Sequence, residues 1–103
     1  MKKIILFLIL IPYLLFAGDK IGSDCTLKGK KLSGKIRFVE NFEDFKIRVV
    51  SANEDLRVEV VTYPTKDCGK WEYVQFFENF KVKIVNANED FTIRYVIVSP
   101  GVR

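Results

Sequence analysis

Lys35-Ile-Arg-Phe-Val39, Lys46-Ile-Arg-Val-Val50 and Arg57-Val-Glu-Val-Val61 follow one another at intervals of 11 residues. Lys70-Trp-Glu-Tyr-Val74, Lys81-Val-Lys-Ile-Val85 and Thr92-Ile-Arg-Tyr-Val96 repeat that interval after a step of 13. A shift of 35 residues lays 35–61 over 70–96 with 12 of 27 positions identical, so the chain is doubled as well as repeated. An 11-residue period also suits a helical array. The alternation inside each unit excludes that reading. Apolar and charged residues alternate, and the apolar ones are Val, Ile, Phe, Tyr and Trp, the signature of half-buried strands. The core parity is Ile36/Phe38, Phe45/Ile47/Val49, Leu56/Val58/Val60, Trp71/Tyr73, Phe80/Val82/Ile84 and Phe91/Ile93/Tyr95. Every unit closes on a valine, at 39, 50, 61, 74, 85 and 96, which implies that the backs of the strands are partly covered too.

Polar turns separate the units: Glu40-Asn-Phe-Glu-Asp44, Ser51-Ala-Asn-Glu-Asp55, Gln75-Phe-Phe-Glu-Asn79 and Asn86-Ala-Asn-Glu-Asp90. Such Asn, Asp and Ser residues bond their own backbone and tolerate tight-turn dihedrals. The fold expected is all-β: six short antiparallel-type strands in two similar halves, joined by the longer connection Thr62–Gly69. The repeat domain occupies 35–103, and the Gly- and Lys-rich stretch 18–34 reads as a loosely ordered lead-in.

Residues 1–17 read as a cleaved signal peptide. Lys2 and Lys3 precede an apolar run from Ile4 to Phe16, Ala17 is small, and polarity returns at Asp19. The run is shorter than the ~20 residues a spanning helix needs. The expected location is therefore exported, periplasmic or secreted, with no stable membrane span after cleavage. Lys2 and Lys3 account for two of the 17 basic residues, leaving 15 against 13 acidic ones and a mature charge of +2. That balance argues against nucleic acid as a partner. In an exported chain the two cysteines, Cys25 and Cys68, form a disulfide, which a core this small needs.

The repeated turns, Cys68-Gly-Lys-Trp71 and the Ser99-Pro-Gly101 ending resemble the septoil-knot domain family, short exported β proteins. The family's turn is a variant of Asp-Ser-Phe-Pro-Asp-Phe followed by an alternating Lys-Val-x-Val strand. Glu40-Asn-Phe-Glu-Asp-Phe45 is the nearest copy here, and Glu replaces the proline in each of the four turns. The resemblance covers roughly residues 30–103 and implies a chain wound into a seven-crossing knot. It implies no activity. The alternative is an unknotted small β-sandwich or barrel.

No catalytic constellation is visible. The chain has no His, and so lacks the commonest general base and metal ligand. The doublets Glu43-Asp44, Glu54-Asp55 and Glu89-Asp90 lack calcium-loop spacing and read as turn structure. The expectation is a non-enzymatic module, structural or binding, without metal or cofactor; the alternative is a small secreted inhibitor or antagonist. Nine of twelve outward strand positions are basic and two acidic. A solvated face is one reading of them. The other is a binding stripe centred on Lys46, Arg48, Lys81 and Lys83, with an anionic envelope component or a protein as partner. Phe42, Phe76 and Phe77 are expected to plug the core from the turns; the other reading of them is a binding patch.

Overall fold

The computed structural model describes residues 20–103. The signal-peptide reading of residues 1–17 lies outside them. Nine strands form among the described residues: β1 (Thr26–Leu27), β2 (Lys30–Lys31), β3 (Gly34–Phe38), β4 (Phe45–Val49), β5 (Leu56–Val61), β6 (Lys70–Tyr73), β7 (Phe80–Ile84), β8 (Phe91–Tyr95) and β9 (Gly101–Val102). β3 to β8 are the six repeats. No helix among the described residues is long and apolar enough to cross a membrane.

The pairing is where sequence expectation fails. β3 to β8 lie in the order β6-β3-β7-β4-β8-β5, and β5 pairs back onto β6, so the sheet closes as a six-stranded barrel. Every one of those ladders is parallel, not antiparallel. Parallel neighbours ordinarily need a crossover of a dozen or more residues, because the chain must return along the length of the strand. Here no return is needed. Val82 on β7 faces Phe38, the last residue of β3, on one side and Phe45, the first of β4, on the other. Ile47 stands likewise between Ile84 and Phe91, and Ile93 between Val49 and Leu56. Within each half, a strand thus starts at the level where its predecessor stopped, and a six-residue loop such as 39–44 need only step across the intervening strand, ~10 Å for two strand spacings. The halves wind round the barrel as a two-start spiral.

The same offset decides which apolar residues are buried. Ile36, Phe45, Ile47, Leu56, Val58, Trp71, Phe80, Val82, Phe91 and Ile93 lie inside, one from each of the first and fourth repeats and two from each of the others. Phe38, Val49, Val60, Ile84 and Tyr95, the last of that parity in their repeats, stand past the closed part of the barrel and are exposed. Each interior side chain contributes about 1.5–3 kcal/mol. Phe45 meets Phe80 and Phe91 edge-on at 5.6 and 5.7 Å, and Trp71 meets Phe80 at 5.7 Å, the arrangement aromatic quadrupoles favour. The closing valines are half-buried, with Val61 buried outright, and those at 39, 50, 74, 85 and 96 donate their N–H to a strand of the other half.

Residues 20–33 are more ordered than their composition implies. β1 and β2 form a hairpin, and Ile21, Cys25 and Leu32 join the core. The Leu32 carbonyl accepts from Trp71 Nε1 and from the Gly69 N–H, both at 3.1 Å. Cys25 and Cys68 are disulfide-bonded across 43 residues, with Cα atoms 5.9 Å apart. The bridge ties this segment to the central connection beneath Trp71.

Candidate functional site

The turn motif has a structural logic that its sequence conceals. Each loop crosses one strand of the opposite half and fastens to it. Its last residue accepts a backbone N–H from that strand: Asp44 from Lys81 at 2.8 Å, Asn79 from Lys35 and Asp90 from Lys46 at 2.7 Å, Asp55 from Thr92 at 2.9 Å. In three of the loops, the preceding glutamate engages an arginine of the same strand. Glu78 pairs with Arg37 at 3.4 Å, Glu89 with Arg48 at 3.1 Å, and Glu54 with Arg94 at 2.9 Å. Glu54 also takes Arg57 at 3.2 Å and is buried. Arg57 and Arg94 are direct neighbours in the β5–β8 ladder, so this carboxylate neutralises two like charges. The Arg94 hydrogen bond is the chief cause that holds the Glu54 carboxyl at about 2, below its ordinary 4.5. Arg48 lowers the Glu89 carboxyl in the same way, and its own guanidinium is held more firmly protonated. The paired carboxylates therefore act as clasps.

The loop phenylalanines do not plug the core. Phe42, Phe76 and Phe77 are 89%, 69% and 90% exposed. Phe42 and Phe77 also have left-handed backbone, with φ of 63° and 61°. The sister positions Asn53 and Asn88 share that conformation at 57° and 62°, and asparagine tolerates it far better. The sequence indicated a tight turn; the interior, already filled by strand residues, had no place for these rings.

The four residues of the expected binding stripe separate into two groups. Arg48 is clasped by Glu89 and belongs to the framework. Lys46, Lys81 and Lys83 enter none of the ion pairs among the described residues. Lys46 lies directly opposite Lys83, and Lys81 opposite Arg37, on three adjacent strands. Three ammonium groups thus stay unpaired on a surface where most arginines are matched. At the open rim, the Tyr73 and Tyr95 hydroxyls meet at 2.8 Å, and Phe38 packs on Tyr73 at 4.6 Å. Burial, followed by the Tyr95 contact, raises the Tyr73 phenol well above its usual range. No cluster of three potential ligating side chains able to hold a metal exists among the described residues.

A closed barrel of parallel strands, wound two-start from two similar halves and clasped loop over strand, is a distinctive class of β domain. The family model for the 7(1) septoil knot domain matches residues 29–103, and the chain belongs to that family. No curated protein matches it.

Proposed function

We propose that this protein is a non-enzymatic module exported to the cell envelope or beyond, which binds an anionic partner through Lys46, Lys81 and Lys83. The observation that carries the reading is the contrast between those three unpaired ammonium groups and the clasped arginines around them. Adjacent lysines on a rigid sheet repel one another, a penalty that an anion would remove. Lys2-Lys3, the apolar run 4–16 and the Cys25–Cys68 disulfide, of a kind that persists in oxidising compartments, support export. The test is covalent capture of partners from envelope and culture fractions by the oxidised protein and by a Lys46→Glu/Lys81→Glu/Lys83→Glu variant. Arg48 stays unchanged, because reversing it would break the clasp. A partner captured only by the native protein supports the reading; equal capture by both overturns it.

The exposed rings of Phe42, Phe76 and Phe77 favour a second reading, an antagonist that inserts aromatic loop tips into a partner protein. An enzyme captured by the native protein and lost on Phe42→Asn/Phe77→Asn would support it. We further propose that the winding closes as a seven-crossing knot, an arrangement compatible with the loop-over-strand crossings. Pulling the reduced chain by its ends tests this. A knotted chain stops short of its contour length of about 3.3–3.6 Å per residue, and full extension would overturn the knot.

A further inference from the structure

Between the β1–β2 hairpin, the 62–69 connection and the 74–79 loop lies a concavity of about 720 Å³. Lys30, Lys31, Lys35 and Lys66 line it together with Phe77 and Asn79, and no carboxylate among the described residues does. None of the four lysines enters an ion pair among the described residues. Glu72 flanks Lys35 in the ladder but does not line the cavity. The neighbouring loop departs from its sisters in a way that sharpens this field. Asp44, Asp55 and Asp90 accept a strand N–H with a carboxylate, whereas Asn79 makes the same bond to Lys35 with an amide. The hydrogen bond survives and the negative charge is gone in the loop that lines this concavity. Phe77 is held in left-handed backbone at the lip, where Asn53 and Asn88 occupy two sister loops.

We infer that this concavity binds a sugar-sized ligand bearing clustered oxyanions, phosphate or carboxylate. Its volume falls in the range of small-ligand sites, about 300–1,000 Å³. Lysines are compact point charges on pliable stems, suited to several oxyanions without the fixed fork that arginine imposes. Phe77 supplies an apolar face for the body of the ligand. The site shares no residue with Lys46, Lys81 and Lys83, and each stands without the other.

Calorimetry on the oxidised protein tests it with glucose 1,6-bisphosphate, tri-galacturonate and uncharged maltotriose. Binding of a charged probe and not of maltotriose is expected. A phosphate-only or uronate-only response supports the site and identifies the oxyanion. Asn79→Asp should leave the fold intact, since aspartate makes this bond in three loops, yet weaken binding about fivefold at low salt. Lys31→Glu/Lys66→Glu should abolish binding, and the Lys46/Lys81/Lys83 variant should keep it within twofold. Failure of both charged probes, comparable binding of maltotriose, or unchanged affinity in Asn79→Asp or Lys31→Glu/Lys66→Glu overturns the proposal. Loss of binding in the Lys46/Lys81/Lys83 variant would overturn the independence of the two sites.

Discussion

Gly29 and Gly69 offer a paired experiment on how the barrel is closed. Their backbones are nearly alike, with φ of 81° and 78°, so alanine at either suffers the same left-handed penalty of about 1–2 kcal/mol. Their surroundings differ completely. A Cβ on Gly29 meets nothing within 4 Å, whereas one on Gly69 collides with the Arg57 carbonyl oxygen and comes within 2.6 Å of the Gly101 nitrogen. Both obstacles are backbone and cannot rotate aside. Relief requires Gly69 to withdraw, which breaks the Gly69 N–H bond to Leu32 and the Glu59 N–H bond to Gly69. At about 1 kcal/mol for each bond, Gly69→Ala should lose about 3–4 kcal/mol and Gly29→Ala about 1–2. For a domain of this size each kcal/mol moves Tm by about 4–8 °C. Thermal and urea unfolding of the two oxidised variants beside the native protein would measure the difference. Equal losses at the two positions would refute the claim that Gly69 is fixed by close backbone approach.

Other outcomes follow from the clasps and the bridge. The Glu54 carboxyl is depressed in the folded state, so its contribution is complete above the ordinary 4.5 and is lost as pH falls through about 2. The Tm gap between native protein and Glu54→Gln should therefore shrink over that window; a gap independent of pH would contradict the assignment. Replacing Cys25 and Cys68 together by serine removes a cross-link over 43 residues, a loss of about 4 kcal/mol on the chain-entropy argument, read as a lower urea midpoint. Phe42→Asn should raise stability by about 0.5–1 kcal/mol by relieving an exposed aromatic residue at positive φ; a lower Tm would mean that the ring makes contacts of its own.

The strands were legible in the sequence because their two-residue alternation is strong, and the bridge because only two cysteines exist. Direction was not legible. A hairpin and a step across a neighbouring strand both need a short polar turn, and residues such as Glu40–Asp44 suit either. What separates them is the level at which Phe45 pairs, a property of β7 and so of residues about 37 places away. The exposure of Phe38 and Ile84 was hidden for the same reason, since parity assigns a side of the sheet and leaves open where the barrel ends. The role of Glu54 was half-visible: its doublet with Asp55 stood out, but the two arginines it neutralises meet only through the ladder. The lead-in carried a weaker signal, with Ile21 and Leu32 as isolated apolar residues among glycines and lysines.

Every ladder of the barrel joins a strand of one half to a strand of the other; β3, β4 and β5 never pair among themselves, nor do β6, β7 and β8. Either half alone would be three unpaired edges with nothing inside. Duplication of a unit that already folded by itself is therefore not a route to this architecture. A unit that first closed around a second copy of itself, and was later joined to it through a linker like Thr62–Gly69, leaves both partners the interleaved places that they hold now.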